Sequence, residues 1–232
     1  MDAAPDQTSD QPRGRNSEIA NNIANIRERI LSAGGSESVR IVGVTKRHSL
    51  EVVRDALALG LTDLAENYAQ ELSEKALSLV EFGPPQPNWH FIGQLQTNKV
   101  RKVAPFVSSY DSVDRESLVV ALAKHAPGAA CLIQVGAESD GGRGGCSISD
   151  LPHLVESVTN SGLHLQGLMT VAPLGLAESA IAAWFSAVRA ACDEFGLSRC
   201  SMGMSEDLEL AVEAGATEVR IGSAIFGSRY SG

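Results

Sequence analysis

The sequence has little that would tie it to a membrane or to a nucleic acid. No apolar run in its 232 residues approaches the roughly 20 residues that span a bilayer. Aspartate and glutamate (28) outnumber lysine and arginine (19), and the formal net charge is −9. Nucleic-acid backbones bind basic surfaces, so this balance argues against such a partner. These absences predict a protein that binds neither membrane nor nucleic acid.

Cysteine is also scarce, and its spacing excludes the usual metal and disulfide motifs. None of the four cysteines forms a Cys-x-x-Cys pair, and the five histidines do not fall at zinc-ligand spacing. The first residues, Met1–Gln7, have neither a basic start nor an apolar core, so they do not read as a signal peptide. We therefore expect reduced thiols, no metal and a cytoplasmic location.

The N-terminal region divides into a polar tail and a helix. Residues 1–15 are rich in Asp, Gln, Pro, Ser and Gly, a composition that predicts a disordered tail. Isoleucines then recur with a helical period over residues 17–33, at Ile19, Ile23, Ile26 and Ile30. Ser17 or Asn16 is a candidate cap, and Gly34 follows the last turn.

Short apolar runs alternate with helical patterns along the rest of the chain. The predicted strands span residues 40–46, 63–66, 89–93, 107–112, 130–136, 164–170, 199–204 and 218–222. The predicted helices span residues 49–59, 68–81, 97–104, 115–125, 149–160, 177–195 and 206–214. Eight strands alternating with helices favour an α/β fold, a single-domain TIM (β/α)8 barrel over residues 16–232 with an extra N-terminal helix. An open doubly wound sheet is the alternative, but no Gly-x-Gly-x-x-Gly follows the first strand.

Lys46 is the residue whose position most clearly suggests a chemical role. It ends the first predicted strand on the same face as Val42 and Val44, so we expect it to point into the barrel. Barrel enzymes carry their active sites at this end of the strands. An amine there can form a Schiff base with an aldehyde, because partial desolvation favours its neutral form. The alternative is a lysine that extends into solvent.

Two segments of small residues suit a phosphate group. Ser201–Ser205 ends the seventh predicted strand, and Arg220–Ser223 ends the eighth. Glycine allows close backbone approach, and the N–H groups and hydroxyls at a helix start bind anions. An amine and two phosphate segments on one barrel point to an aldehyde-bearing phosphate ester, for which pyridoxal 5′-phosphate is the candidate. Ser205 is equally typical of a helix N-cap, and the two roles are compatible.

Arg220 shares a strand face with Gly222, and we expect it to need a partner inside the barrel because a buried unpaired charge is costly. A ring nitrogen or a carboxylate of a ligand would serve, and a salt bridge to Glu66 is the alternative. Three further residues complete the predicted cofactor-binding set: Asn67, His90 and Met202. Taken alone, they are also typical of a turn amide, a core histidine and a packing methionine.

At these positions the chain resembles the pyridoxal phosphate homeostasis proteins, single-domain relatives of the N-terminal barrel of alanine racemase. The resemblance runs in order over about residues 17–229. The matching segments are Val42–Lys46, Leu64–Glu71, Trp89–Lys99, Ser112–Asp114, Gly167–Met169, Ser201–Ser205 and Val219–Gly227.

The resemblance implies that Lys46 carries pyridoxal phosphate and that Arg220 lies near the pyridine nitrogen. It implies a phosphate site built from Ser205, Gly222 and Ser223. Ser223 stands where the family often has threonine, so the hydroxyl is retained.

The loop over residues 140–146 is where the chain departs most from that family. Arg143 and Gly144 stand where the family often has lysine and glycine, and further glycines flank them. The loop is read either as a mobile lid or as a plain surface loop.

Three functions remain open from the sequence. The resemblance implies a non-enzymatic, monomeric carrier of pyridoxal phosphate in vitamin B6 and amino-acid homeostasis, with apo-enzymes as possible acceptors. A racemase or another pyridoxal phosphate enzyme is the alternative. An arginine at the ring nitrogen makes the ring a weaker electron sink, however. Racemases that resemble this barrel also use a tyrosine as a second base on the opposite face of the ring, and no tyrosine of this sequence has the context of that base. A cofactor-free sugar-phosphate isomerase or aldolase would need a carboxylate base, for which Glu66 is the candidate.

Overall fold

A computed structural model of the chain describes residues 11–137 and 144–227. Eight parallel strands pair in sequence order, and the last pairs with the first to close a barrel. The strands are β1 Arg40–Val44, β2 Asp63–Glu66, β3 Asn88–Phe91, β4 Val107–Val113, β5 Ala130–Val135, β6 His164–Thr170, β7 Arg199–Ser201 and β8 Glu218–Ile221. The predicted TIM barrel is confirmed, and the open doubly wound sheet is excluded.

Helices surround the strands and follow them in turn. They are α1 Gln11–Ser32, α2 Leu50–Ala58, α3 Ala69–Val80, α4 Val100–Val103 after a 3₁₀ turn at Thr97–Lys99, α5 Glu116–His125, α6 Leu151–Asn160, α7 Glu178–Glu194, α8 Leu208–Glu213 and α9 Ser223–Phe226. The sequence did not predict α9, because four residues are too few to show a helical period. No helix in the described part of the chain is both long and apolar enough to cross a membrane.

The N-terminal helix begins earlier than the sequence indicated. α1 starts at Gln11 rather than at Ser17, so residues 11–15, which we predicted as part of the tail, are helical. Residues 1–10 of that tail lie outside the described residues. The apolar stripe of α1 is buried as predicted, with Ile30 fully inaccessible, which packs the helix against the barrel.

Glycines end several helices as the sequence predicted. Gly60, Gly196 and Gly215 have φ values of +82°, +64° and +91°, a region that residues with a Cβ rarely adopt. After each glycine the next N–H bonds back to a carbonyl five residues earlier, for example Leu61 to Ala56 at 3.0 Å. This pattern closes the exposed carbonyls of the last turn and sends the chain into the next strand.

The apolar core has two parts. The larger lies between the outer face of the strands and the helices, and contains Phe91, Tyr110 and Phe185. The smaller lies inside the barrel and consists of Val42, Val44 and Ala65, with Ile92 packed against it. The face of β1 that carries Val42 and Val44 is therefore the inner face, as the prediction for Lys46 required.

Candidate functional site

A cavity of about 570 Å³, which we call the rim cavity, opens at the carboxyl ends of the strands, where βα-barrels carry their active sites. It is lined by residues from strands on both sides of the barrel closure. The lining consists of Val44, Lys46, Asn67, Ile92, Gly93, Gln94, Gln134, Met169, Val171, Met204, Ser205, Glu206, Asp207, Arg220, Gly222 and Ser223. Six of the eight residues predicted to bind a cofactor belong to this set: Lys46, Asn67, Ser205, Arg220, Gly222 and Ser223.

Lys46 lines the cavity two residues beyond the end of β1. The inward face of β1 is apolar as far as Val44, which is 8% exposed. Lys46 therefore follows a buried apolar segment of the strand. The following residue, Arg47, has a φ of +62°, a left-handed conformation that is rare for a residue with a Cβ. The chain therefore turns sharply directly after Lys46 and leaves the barrel rim.

Ser205, Gly222 and Ser223 lie together on the β7 and β8 side of the cavity. Gly222 packs closely on β1, because a Cβ there would lie 3.3 Å from the carbonyl oxygen of Val44. Ser205 is not the cap of α8, as one reading of the sequence suggested: the residue before α8 is Asp207, whose Oδ1 accepts the Met204 N–H at 2.5 Å. The Ser205 hydroxyl therefore belongs to the turn at the cavity rather than to the helix start.

Helix α1 supports this side of the cavity from outside. Arg29 donates to both carboxylate oxygens of Glu209 on α8, at 2.6 and 2.8 Å, and to the carbonyl of Ser205 at 3.0 Å. Asn22 donates to the carbonyl of Ile225 on α9 at 2.9 Å. The extra N-terminal helix thus holds both short helices that follow the small-residue segments.

Arg220 is 4% exposed, and its side chain lines the cavity. Its guanidinium donates to Ser201 Oγ at 2.9 Å and to the carbonyl of Thr170 at 2.6 Å. The salt bridge to Glu66 that the sequence left open does not form. Burial lowers the pKa of Arg220, and the nearby carboxylates of Glu218 and Asp111 oppose that effect.

Asn67 follows β2 and lines the cavity. Asn67 Oδ1 is buried without a hydrogen-bond partner among the described residues. Gly93 presses against the same residue, because a Cβ at Gly93 would lie 2.0 Å from the carbonyl oxygen of Asn67. An orphaned acceptor of this kind requires a donor from water or a ligand.

The other two predicted site residues, His90 and Met202, do not line the cavity, so their cofactor-binding role stays a prediction. Met202 is fully buried in the outer core, with its sulfur 3.7 Å from Cys200 Sγ. His90 points into the barrel but one layer lower, where Nδ1 lies 2.6 Å from Asp111 Oδ2 and Nε2 lies 3.3 Å from Asp63 Oδ1. Both positions match the structural alternatives that the sequence left open.

His90 belongs to a buried polar network that fills the amino-terminal half of the barrel. Arg199 crosses the interior, donating to Ser109 at 3.0 Å, to Gln166 at 2.6 Å and to Glu218 at 2.9 Å. Ligand atoms of His90, Asp111 and Glu218 lie within 4.8 Å of one another, which is close enough to hold a metal ion. The guanidinium of Arg199 already pairs with both carboxylates, so we read the cluster as a structural charge network.

The network makes stability depend on pH in a defined direction. Burial alone would lower the pKa of His90, but the carboxylate of Asp111 outweighs it and raises the pKa to about 9. A raised folded-state pKa gives stability that is complete below pH 6.5 and is lost as pH rises through about 9. Replacing His90 by glutamine should remove this loss, which amounts to about 3 kcal/mol.

Urea unfolding of the wild type and of His90→Gln at pH 6 and pH 9 measures this difference. His153→Gln is the matched control, because His153 is 73% exposed, and it should keep the wild-type pH dependence. Equal pH slopes for the wild type and His90→Gln would contradict a charged His90 in the folded protein.

Sequence reasoning missed several residues that line the cavity. Gln134 on β5 and Met169 on β6 are paired neighbours and both are buried. The signal for Gln134 was present, because it is a single polar residue within the apolar strand Ala130–Val135. Glu66, the base considered for an isomerase, lies on the opposite face of its strand and does not line the cavity.

A second cavity of about 490 Å³ adjoins the first and shares Asn67 and Gln94 with it. Lys99, Asp114 and Arg115 place charges along its wall. Gly144 lies against this boundary, since a Cβ there would be 2.8 Å from Gln94 Nε2. The described end of the loop predicted at 140–146 therefore lies beside both cavities, whereas residues 138–143 fall outside the described residues.

Comparison with known proteins agrees with this geometry. The family described as "Alanine racemase, N-terminal domain" matches residues 15–230. The pyridoxal phosphate homeostasis proteins of Pseudomonas aeruginosa and Deinococcus radiodurans are 38% and 39% identical, over 93% and 88% of this chain and 98% and 97% of their own. PipY of Synechococcus elongatus, solved with PLP bound, is 31% identical with a TM-score of 0.78, and the match covers 90% of this chain and 100% of PipY.

The family match covers nearly the whole described barrel, and the relatives are matched over almost their full length. The segments that carry the resemblance include the cavity residues Lys46, Asn67, Ser205 and Arg220. The chain therefore belongs to the pyridoxal phosphate homeostasis protein family, whose barrel is that of the alanine racemase N-terminal domain.

Proposed function

We propose that the protein binds pyridoxal 5′-phosphate in the rim cavity and serves vitamin B6 and amino-acid homeostasis without turning over amino acids. One observation carries the proposal: a single cavity gathers an amine, a buried guanidinium and the serine and glycine residues that follow β7 and β8. Its volume of about 570 Å³ lies within the range of small-molecule sites. PipY, a relative of the same fold, was solved with PLP bound.

The residues present fit this cofactor. Pyridoxal phosphate supplies an aldehyde that joins reversibly to amines and a ring that can withdraw electrons. Lys46 would hold the aldehyde carbon, and Ser205, Gly222 and Ser223 would hold the phosphate through hydroxyl and backbone N–H groups. The buried, unpartnered Oδ1 of Asn67 supports a bound donor in the same cavity.

Arg220 would set the charge on the ring nitrogen. Its guanidinium is held by Ser201 and Thr170, so it is fixed in place before any ligand arrives. A guanidinium can only donate a hydrogen bond, which opposes a proton on a neighbouring ring nitrogen. The ring is then a weak electron sink, which supports binding without turnover.

The cavity wall supports the same reading. Apart from Lys46 and Arg220, the ionisable side chains that line it in the described part of the chain are Glu206 and Asp207. Both follow β7 on the predicted phosphate side, and Asp207 is engaged by the Met204 N–H. No tyrosine, histidine or cysteine of the described residues lines the wall to act as a second base.

A homeostasis role requires that bound cofactor be stored or handed on. We propose a cytoplasmic monomer with apo-enzymes that need pyridoxal phosphate as acceptors. The four free cysteines support a reducing compartment. Transfer is measured by mixing the loaded protein with an apo-aminotransferase and following the recovery of the acceptor's activity against an equal amount of free cofactor.

The absence of turnover is tested by chiral analysis. L-alanine and other amino acids are incubated with the loaded protein, with Lys46→Ala and free cofactor as controls. We expect no racemisation, transamination or decarboxylation above the free-cofactor background. Racemisation that depends on Lys46 at about 1 per second or faster would favour a racemase instead.

A further inference from the structure

A buried ion cluster lies behind Lys46, between β1, β2 and α3. Lys75 of α3 is 8% exposed, and its ammonium has three acceptors: Glu66 Oε1 at 2.7 Å, Glu71 Oε1 at 2.8 Å and the carbonyl oxygen of Thr45 at 2.7 Å. An ammonium has three N–H donors, so all three are used. The side chains of Lys75, Glu66 and Glu71 do not line the rim cavity, and the proposed function assigns them no role.

The cluster holds the backbone on both sides of Lys46. The carbonyl of Thr45 belongs to the peptide group that precedes Lys46, and Lys75 donates to it. The N–H of Arg47 belongs to the peptide group that follows Lys46, and it donates to Glu71 Oε1 at 2.5 Å. The two peptide groups that flank the Lys46 Cα are therefore anchored to one buried ammonium and its carboxylate partner.

The Thr45 side chain adds a third anchor. Its hydroxyl donates to Glu66 Oε1 at 2.8 Å, the oxygen that also accepts from Lys75. The turn that follows holds Arg47 at a φ of +62°, a conformation that persists only where the surroundings enforce it. The bond from Arg47 N–H to Glu71 supplies that enforcement.

The charges of this cluster are better explained as fixing the positions of its groups than as stabilising the fold. Glu66 is fully buried, and its Oε2 has no partner among the described residues. Burial raises the pKa of Glu66 to about 7 although Lys75 acts in the opposite direction. A buried ion pair seldom stabilises a fold more than apolar side chains of the same size would. Its effect here is to hold donors and acceptors at fixed positions.

We propose that Lys75 is a positioning residue for Lys46: together with Glu66 and Glu71 it fixes the peptide groups on either side of Lys46, so that the amine enters the cavity in one orientation. This inference rests on the proposed function, in which Lys46 holds the cofactor. Small misplacements of a reacting group cost about 100-fold in rate, so the rate of covalent attachment is the sensitive quantity.

The test separates positioning from charge compensation. Lys75→Met removes the ammonium and leaves Glu66 buried without its cation, which should destabilise the fold. The double variant Lys75→Met/Glu66→Gln removes that charge as well but does not restore the ammonium bond to the Thr45 carbonyl, which keeps the His48 N–H at 3.0 Å and loses its charged donor. Lys124→Met, an exposed lysine on α5, is the matched control.

Three quantities are measured on each full-length variant. They are the urea midpoint, the total pyridoxal phosphate bound in equilibrium dialysis, and the rate at which borohydride-fixable cofactor accumulates on Lys46. We expect the double variant to regain most of the stability lost in Lys75→Met and to keep total binding within a few-fold of wild type. Its attachment rate should stay about 10- to 100-fold below wild type.

Amide hydrogen exchange in the cofactor-free protein provides a readout that needs no ligand. The Arg47 amide should exchange faster in the double variant, because Glu71 loses the partner that holds it. Wild-type attachment and exchange rates in the double variant would overturn the positioning role and leave Lys75 as a charge partner only. A wild-type protein that fixes no cofactor on Lys46 would instead overturn the proposed function, and the positioning role with it.

Discussion

Replacing Lys46 by alanine is expected to abolish covalent attachment of pyridoxal phosphate altogether. Among the described residues, Lys46 is the one lysine that lines the rim cavity, and it continues the inner face of Val42 and Val44. After borohydride reduction, peptide mapping of the wild type should place the pyridoxyl group on Lys46. The variant should carry none, while part of the non-covalent affinity should remain because Ser205, Gly222 and Ser223, the proposed phosphate site, are unchanged.

Two controls sharpen this result. Lys124→Ala removes an exposed lysine on α5 and should attach cofactor at the wild-type level. Urea unfolding should give Lys46→Ala a midpoint close to wild type, because Lys46 lies beyond the end of β1 rather than in the core. A pyridoxyl group found on another lysine at full occupancy would contradict the assignment of Lys46.

Replacing Gly93 by alanine is expected to give the largest loss of stability at the site. The added Cβ would lie 2.0 Å from the carbonyl oxygen of Asn67, whereas contacts below 3.0 Å force something to move. Gly93 cannot retreat easily, because its own carbonyl accepts the Ser112 hydroxyl at 2.5 Å. The free energy of unfolding should fall by roughly 3 kcal/mol. Cofactor affinity should fall too, since Asn67 is displaced from the cavity wall.

Gly14→Ala is the matched control for this change. A Cβ at Gly14 meets no atom within 4 Å, and the residue lies in α1. Alanine there should stabilise the protein by about 0.5–1 kcal/mol, because glycine loses more backbone entropy in a helix. A Gly93→Ala protein that unfolds at the wild-type urea concentration would show that the β2 and β3 loops are free to separate.

Strand number and the inward face of β1 could be predicted from local pattern alone. Val42, Val44 and Lys46 alternate along one strand, and the period of two decides which face they share. Helix ends were equally accessible, since Gly60 and Gly215 follow the last apolar positions. These features depend on residues close together in the chain, so one sequence suffices to predict them.

The depth at which an inward-facing side chain lies inside the barrel could not be predicted in this way. Alternation shows that His90 shares a face with Ile92, but the stagger between strands decides that Ile92 reaches the cavity and His90 lies below it. Met202 and Met204 differ for a local reason. Gly203 between them has a φ of +94°, which breaks the alternation and turns Met204 toward the cavity. The partner of Arg220 also depends on strands far apart in sequence.

The order of the strands has a consequence for how the protein folds. Seven of the eight strand pairings join neighbours in the chain, while the eighth joins β1 to β8, from Arg40 opposite Glu218 to Gly43 opposite Ile221. Closing that long loop costs the most chain entropy, so this pairing should form last. Lys46 follows β1, whereas Arg220, Gly222 and Ser223 belong to β8 and its end, and the cavity exists only once the ring is complete. Ligand binding and barrel closure are then thermodynamically linked. A bound cofactor should stabilise the β1–β8 pairing, the one expected to form last, by mass action.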